Sequence, residues 1–379
     1  MALVSRVLVV LCSAIVIACG GGGSGSPSPQ PTPVVNPRLT APTLDAPSAD
    51  EQLGTLRPTL IVRNGTSDQA GNRSYEFQIS DTADFSTAIA AYITSFNVTV
   101  SRTGVPEGDG RTSYTLDVDL QPTTRFYWRA RMTQGSTASE WSAVGKFRSK
   151  LVGFVRDGAL FDPLIHGETV GERIGSTTFV PGKGLKLNAT SSFVRYRLPR
   201  AVVAGEYSMD VEGLAANGPG DKPKVFGMQE GTSEFVTNDY RVDVQYRGVR
   251  GAPVNAIYWR VIYGDGADDG LRYETDRARR EASVVLLNPS TTYHWKLTYG
   301  SEIRVVVLDG GMKGPALYNY GLLATRGRYD PNPHIAYLGA PVDRSGSASA
   351  SIAGTIYRNV WLGAQPRPDS LGSALWDAQ

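Results

Sequence analysis

The chain is poor in cysteine and histidine. Its 379 residues include two cysteines, Cys12 and Cys19, and three histidines. Cys12 lies in an N-terminal apolar segment that we expect to be removed, and Cys19 has the different role described below. No thiol is then left for a disulfide, a cysteine nucleophile or a zinc–thiolate site. Three histidines also argue against a multi-histidine metal centre, so stability must come from hydrophobic burial.

An excess of charge of one sign is also lacking. The 38 basic and 36 acidic residues give a net charge of +2, and the two signs are interspersed along the chain. A protein that binds nucleic acid typically concentrates lysine and arginine in one block or on one face. The charge pattern therefore argues against a nucleic-acid partner.

Long apolar runs are missing too, apart from a short one at the N-terminus. There Arg6 precedes the apolar residues 7–18. A linker rich in Gly, Ser and Pro (19–37) begins at Cys19. A span of the bilayer needs about 20 apolar residues, so a signal peptide over 1–18 is favoured over a transmembrane anchor. The linker is expected to be stiff and extended in its Pro-rich part.

The four residues that end at Cys19, VIAC, resemble a bacterial lipobox. This resemblance implies that Cys19 carries lipid and becomes the mature N-terminus. We therefore expect a lipoprotein that is extracytoplasmic, in the periplasm or at the cell surface. Its membrane partner would be reached through the acyl chains on Cys19.

The remainder of the chain consists of short runs that alternate apolar and polar residues, separated by Gly, Pro, Asn and Asp. No helical periodicity persists over a useful length. This pattern predicts an all-β protein made of two sandwiches. We place the first at 38–149 and the second at 152–363, and the tail at 364–379 has no pattern from which to predict a structure.

Residues 38–149 resemble a fibronectin type III-like domain. The resemblance rests on residues 75–86 (YEFQISDTADFS), 120–131 (LQPTTRFYWRAR), 139–142 (SEWS) and Phe147. It implies a spacer or a protein-contact module rather than an enzyme.

Residues 152–363 resemble the concanavalin A-like lectin/glucanase fold, including its laminin-G-like members. The segments concerned are 182–187 (GKGLKL), 293–310 with YHWKLTY and IRVVVLDG, and 357–363 (YRNVWLG). Roughly a dozen short strands over this length also suit a jelly roll. The fold hosts sugar-binding modules, glycoside hydrolases, polysaccharide lyases and adhesion modules, so the resemblance alone does not choose a function.

Strand periodicity separates the two faces of each predicted strand. In residues 239–247 (DYRVDVQYR) the apolar and polar side chains point to opposite sides. If the polar rows line one sheet, they form an Arg-rich groove for an extended, anionic polysaccharide. The alternative is an ordinary solvent-facing surface on which opposite charges pair across strands. The candidate ligand-binding residues are Arg195, Arg197, Arg241, Asp243, Gln245, Arg247, Arg260, His294 and Lys296, with Tyr318 and Tyr320 as loop aromatics for stacking on sugar rings.

Two catalytic alternatives stay open within this resemblance. A glycosidase needs two carboxylates that face one cleft, and Glu206, Asp210 and Glu212 share a strand face, but their spacing departs from the Glu-x-Asp-x-x-Glu of the family's hydrolases. A lyase needs a group that neutralises a uronate and a His or Tyr acid–base. Arg241, Gln245 and His294 have that chemistry, although the Arg-Ser/Thr-Glu-Leu and Gln-Ile-His motifs of alginate-lyase relatives are absent.

Calcium is the one cofactor that the sequence suggests. Asp265, Asp268 and Asp269 lie in a Gly-containing loop and supply the oxygen ligands that calcium prefers. Their spacing is not that of an EF-hand, and an Asp/Gly hairpin turn is the alternative.

We therefore expect the second sandwich to bind a polysaccharide or other extracellular polymer without cleaving it. The alternatives are a lyase or hydrolase acting in the groove, and a purely structural or protein-interaction role.

Overall fold

The computed structural model describes residues 36–86, 100–156, 158–229, 241–262, 272–274, 283–323, 333–340 and 350–373. These residues form β-strands and connections, with no α-helix among them. Accordingly, the described part of the chain contains no helix long and apolar enough to cross a membrane. The predicted all-β fold class is confirmed.

The described residues of the first sandwich form nine strands. They are β1 (Thr43–Ala46), β2 (Glu51–Gln52), β3 (Thr59–Arg63), β4 (Ser74–Ser80), β5 (Val100–Pro106), β6 (Arg111–Thr115), β7 (Arg125–Gln134), β8 (Thr137–Ala138) and β9 (Gly145–Arg148). One sheet has the order β1-β3-β6 and the other β2-β9-β7-β4-β5, with β8 paired to β7. In β7 the alternation holds along the strand, because Phe126, Trp128, Ala130 and Met132 are all buried in the core between the two sheets.

In the larger, second sandwich, sixteen strands lie within the part of the chain that the structure describes. They are β10 (Phe154–Arg156), β11 (Ala159–Asp162), β12 (Glu172–Ile174), β13 (Thr177–Val180), β14 (Gly184–Leu187), β15 (Phe193–Arg197), β16 (Gly205–Glu212), β17 (Lys224–Gln229), β18 (Arg241–Tyr246), β19 (Ile257–Ile262), β20 (Arg272–Glu274), β21 (Tyr293–Tyr299), β22 (Glu302–Asp309), β23 (Ala316–Leu323), β24 (Ile335–Gly339) and β25 (Ile356–Gly363).

These strands form two sheets. The seven-stranded sheet has the order β12-β15-β24-β17-β18-β19-β20. The nine-stranded sheet has the order β10-β11-β25-β16-β21-β22-β23, and β14 joins it by pairing with both β13 and β25. All the pairings in both sheets are antiparallel.

The two sheets pack face to face over one aromatic core. Phe226 of the seven-stranded sheet meets Tyr207 and Trp295 of the nine-stranded sheet edge-on, with ring centroids 5.3 Å and 6.3 Å apart. Each fully buried large apolar side chain stabilises the fold by about 1.5–3 kcal/mol relative to an exposed one. Polar residues that alternate with this core therefore point away from it, onto the two outer faces of the sandwich.

The loop location predicted for Tyr318 and Tyr320 is wrong. Both lie in strand β23 and face the core, where Trp259 Nε1 donates a hydrogen bond to the Tyr318 hydroxyl at 3.1 Å. The Tyr320 ring lies 6.0 Å from the Trp259 ring. The Gly and Pro residues before this segment suggested a loop, but they end at the turn that precedes the strand.

Residues 364–373, which we call the strap, follow the last strand and cross the outer face of the nine-stranded sheet. Trp361 Nε1 donates to the carbonyl of Gln365 at 3.0 Å. Leu371 is 1% exposed and packs with Phe154, Phe161 and Trp361 in a small apolar cluster of their own. The strap thus covers one end of this face.

Candidate functional site

The outer face of the seven-stranded sheet carries a buried polar cluster centred on Asp243. Strand register places Tyr337, Gly227, Asp243 and Arg260 side by side across the four adjacent strands β24, β17, β18 and β19. In the next row Lys224 lies opposite Gln245. These positions alternate with Val242 and Val244 of the core, so they share the face that points away from it.

Asp243 is fully buried and holds three cations. Its Oδ2 atom lies 3.2 Å from Lys224 Nζ, 3.3 Å from Arg241 Nε and 3.2 Å from both Nε and Nη2 of Arg260. Its Oδ1 atom accepts a hydrogen bond from the Tyr337 hydroxyl at 2.8 Å. The carboxylate therefore fixes side chains from four strands in one arrangement. We call Lys224, Arg241, Asp243, Arg260 and Tyr337 the Asp243 cluster.

A glycine makes this arrangement possible. Tyr337 reaches Asp243 by lying across β17 at Gly227, where a Cβ atom would come within 2.6 Å of the tyrosine hydroxyl. The same Cβ would lie 2.5 Å from the Val242 carbonyl oxygen. Both approaches are closer than van der Waals contact allows, so a side chain at this position would shift strand β18 as well as Tyr337.

The electrostatics of the cluster keep Asp243 ionised. Burial alone would raise the pKa of the Asp243 carboxyl, but Lys224, Arg241 and Arg260, with the bond from Tyr337, hold it well below its usual range. Burial lowers the pKa of the Lys224 ammonium, and the two arginines lower it further. Burial and the charge on Asp243 raise the pKa of the Tyr337 hydroxyl well above its usual value. Asp243 is thus a fixed acceptor rather than a proton donor.

The side chain of Gln245 lies beside this cluster and is 1% exposed. Neither its Nε2 nor its Oε1 atom has a hydrogen-bond partner among the described residues. Leaving a buried polar group unpaired costs about 1–3 kcal/mol. The amide of Gln245 therefore leaves a hydrogen-bond donor and an acceptor unused on this face, at a net cost in stability.

The other arginines predicted for this face lie towards its edges. Arg195 pairs with Glu172 of the neighbouring strand through Nη2 at 2.7 Å, and Arg197 is exposed farther along β15. Arg247 donates through Nη1 to the carbonyl of Ala252 at 3.0 Å and stacks over the Tyr258 ring at 4.0 Å. The predicted ligand-binding residues of strands β15, β18 and β19 thus belong to one sheet, and Arg247 directly follows β18.

His294 and Lys296 do not join them. Both lie in β21 of the nine-stranded sheet, on the opposite side of the sandwich, as do the candidate carboxylates Asp210 and Glu212 in β16. A single groove that combines all of these residues is therefore wrong. Alternation along a strand shows which side chains share its face, but it does not show which sheet the strand joins.

On that side Asp210 and His294 form a second buried polar cluster. His294 Nδ1 lies 2.7 Å from Asp210 Oδ1, and Asn359 Nδ2 donates to Asp210 Oδ2 at 2.8 Å. Asn359 has a φ of 53°, where the register between β16 and β25 shifts. Glu206 accepts bonds from Ser208 Oγ at 2.7 Å and from the strap, through the Arg367 N–H, at 3.3 Å.

Arg367 of the strap completes this second cluster. It is 5% exposed, donates through Nη1 to the Asn359 carbonyl at 3.0 Å and contacts the Met312 sulfur. Burial alone would raise the pKa of the Asp210 carboxyl, but the bond from His294 and the charge of Arg367 hold it below its usual range. Glu212 instead pairs with Lys183 at 2.5 Å. Glu206 and Asn359 thus bond directly to the strap, and Asp210, which is bonded to His294, holds Asn359 in place.

Sequence reasoning did not single out Lys224 or Arg367. Lys224 begins a strand whose register shifts between Lys224 and Phe226, and this bulge interrupts the alternation that would have marked the lysine. Arg367 lies in a segment without periodicity, so no sequence pattern pointed to it.

The calcium and lipid predictions fall outside the described residues. Asp265, Asp268, Asp269 and Cys19 all lie there. Within the described ranges, no group of three or more His, Cys, Asp or Glu side chains is placed to hold a metal ion.

No family model and no curated protein matches this chain. Solved structures do match, among them an enzymatically active domain of tailspike protein 2 from bacteriophage CBA120 (11% identity, TM-score 0.32), which covers 55% of this chain. Another is the exoplasmic/lumenal domain of VIP36 in a Ca²⁺/Man3GlcNAc-bound form, with 12% identity, a TM-score of 0.34 and coverage of 54% of this chain and 86% of that one. A third is a legume lectin-like domain from Entamoeba histolytica, with 9% identity, a TM-score of 0.30 and coverage of 55% and 94%. The chain spans 29% of the tailspike chain that it matches.

Proposed function

We propose that this chain is an extracytoplasmic lipoprotein that binds a polysaccharide on the outer face of the seven-stranded sheet. The observation that supports the binding role best is Gln245, whose amide is buried beside the Asp243 cluster and has no partner for either polar atom among the described residues. An unpaired buried polar group in a native fold calls for an explanation, and in this proposal the sugar hydroxyl groups of the ligand complete its bonds.

The chemistry of the face suits sugar hydroxyl groups. A hydroxyl both donates and accepts hydrogen bonds, which matches an amide that offers one donor group and one acceptor. Arg260, 16% exposed at the side chain, offers a charged donor on the next strand. Because Asp243 and Gly227 hold the surrounding side chains in one arrangement, the face is organised before any ligand arrives.

The other parts of the chain follow from the sequence. In this proposal the signal peptide (1–18) is removed, Cys19 is lipidated, and residues 19–37 hold the two sandwiches off the membrane. The first sandwich (38–149) acts as a fibronectin type III-like spacer, and the second (152–363) presents the binding face.

Native electrophoresis of the full chain in mild detergent tests the binding role. The gels are cast with a polyuronate, a sulfated galactan or a neutral β-glucan, each with and without calcium. We expect retardation in at least one gel and its loss in Gln245→Met, which keeps the side-chain volume but removes both hydrogen-bonding atoms. Arg250→Met, at an exposed arginine, is the control and should migrate like the parent.

The outcomes separate the alternatives. A cleared zone in the gel would mean that the protein cleaves the polymer. Retardation that persists in Gln245→Met would place the binding site elsewhere, and no retardation in any gel would contradict the polysaccharide role.

The anchor has a test of its own. Cys19→Ala should release the protein from the membrane fraction, because the substitution removes the acyl chains. A variant that still sediments with membranes would show that the lipid assignment is wrong.

A further inference from the structure

The strap contacts both sandwiches. Its C-terminal end meets the β6–β7 connection of the first sandwich, where Gln121 Nε2 donates to Ser370 Oγ at 3.3 Å and Gly372 N–H donates to the Thr123 carbonyl at 2.9 Å. Ser373 Oγ accepts from the Arg125 N–H at 2.8 Å. Between described residues, every hydrogen bond that joins the first sandwich to the chain beyond residue 153 ends in residues 370–373.

The other end of the strap is fixed in the second sandwich. The Arg367 N–H donates to Glu206 at 3.3 Å, its Nη1 atom donates to the Asn359 carbonyl at 3.0 Å, and Leu371 fills the apolar cluster of Phe154, Phe161 and Trp361. Hydrogen bonds from a charged donor are stronger than those between neutral groups, so this buried side chain holds the strap firmly.

Thr123 joins the strap to the inter-domain segment, residues 149–153, that connects the two sandwiches. Its N–H donates to the Lys150 carbonyl at 2.9 Å and its Oγ1 to the Val152 carbonyl at 3.1 Å. Its own carbonyl accepts from Gly372. This fully buried threonine thus bonds the first sandwich to both the inter-domain segment and the strap.

We propose that the strap fixes the relative orientation of the two sandwiches, and that Arg367 anchors the strap in the second sandwich. Domains joined by a short linker and a small interface move relative to one another by default. Here the strap adds a second connection, far along the chain from the linker, and two connections remove the hinge that one allows. This inference concerns orientation and does not depend on what the second sandwich binds.

Fluorescence energy transfer between the sandwiches tests whether the strap fixes their relative orientation. The chain has two cysteines, so with both Cys12 and Cys19 replaced by serine, Ser136→Cys and Ser301→Cys provide the dye sites. Both serines are exposed in turns, one in each sandwich. We expect a single narrow distribution of transfer efficiency for the full-length chain in mild detergent.

Two variants release the strap at different ends. Arg367→Met removes its anchor in the second sandwich. Gly372→Pro breaks the bond to Thr123 without touching Glu206 or Asp210, since proline has no N–H and cannot adopt the φ of 90° found here. Both should broaden the distribution, whereas Arg250→Met should not.

Near-UV circular dichroism establishes that the variants are folded. If Arg367→Met does not fold, Gly372→Pro decides the question. A distribution as narrow as that of the parent in a folded Gly372→Pro would overturn the proposal.

Discussion

The two outer faces of the larger sandwich carry similar chemistry and differ in how it is completed. On the nine-stranded sheet, Asp210 bonds to His294 and Asn359, and the strap lays Arg367 over the cluster. On the seven-stranded sheet, Asp243 holds three cations and Tyr337, but within the described ranges Gln245 beside it has no partner for either polar atom of its side chain. A buried carboxylate therefore serves to attach a segment of the chain on one face and to organise an incomplete surface on the other.

The largest effect is expected at Asp243. Asp243→Asn should lower the free energy of unfolding by about 3–5 kcal/mol at neutral pH, because it leaves three cations without their carboxylate. The pKa of Asp243 is depressed in the folded state, so its stabilisation is present above the ordinary carboxyl pKa of about 4 and is lost as the pH falls below it. Urea unfolding at neutral pH and near pH 3 should thus show a difference between parent and variant that shrinks in acid. A difference that stays constant would contradict this role.

Arg367→Met comes next, at about 2 kcal/mol, since methionine loses the charged hydrogen bond to the Asn359 carbonyl but preserves apolar contact. Arg250→Met should stay within about 0.5 kcal/mol of the parent. Retardation by polysaccharide should be unchanged in a folded Arg367→Met, because the strap lies on the opposite face. Loss of retardation would show that the two faces are coupled.

Gln245→Met should act in the opposite direction. It should raise the free energy of unfolding by about 1 kcal/mol, because it removes a buried amide that makes no bonds. The matched control is Gln121, which is as buried but donates to Thr124 Oγ1 at 2.8 Å, so Gln121→Met should destabilise. Thermal unfolding of both variants checks the contrast, and a destabilised Gln245→Met would mean that this amide is satisfied within the fold.

The smallest effect is expected at the edge of the same face. Glu172 pairs with Arg195, but the Glu172 side chain is 54% exposed. Glu172→Gln should therefore change stability by less than about 1 kcal/mol, and the change should shrink further in high salt. A salt-independent loss of several kcal/mol would place this pair among the buried interactions.

Local patterns in the sequence predicted much of each strand. The alternation at residues 239–247 separated Val242, Val244 and Tyr246 from Arg241, Asp243 and Gln245, and the structure puts the first three in the core. The alternation did not reveal that the polar row is buried. A polar side chain that points away from the core is equally expected on a solvent-exposed surface. Asp243 is fully buried, and its partners come from strands distant in the sequence.

Sheet membership was beyond the same reasoning. His294 and Arg241 have the same polar-face pattern, yet their strands belong to different sheets, because pairing depends on contacts between segments far apart in the chain. The strap shows the same limit. Arg367 has no periodic neighbours, and its burial follows from the shape and charge of a face that exists only after folding.

Strand β25 has a consequence for the order in which the protein is assembled. It contains residues 356–363 but lies inside the nine-stranded sheet, between β11 and β16, and it also pairs with β14. During synthesis the described strands of the first sandwich are complete once residue 148 has left the ribosome. The nine-stranded sheet of the larger sandwich lacks an interior strand until residue 363 has been added, so the larger sandwich cannot close before the first one can.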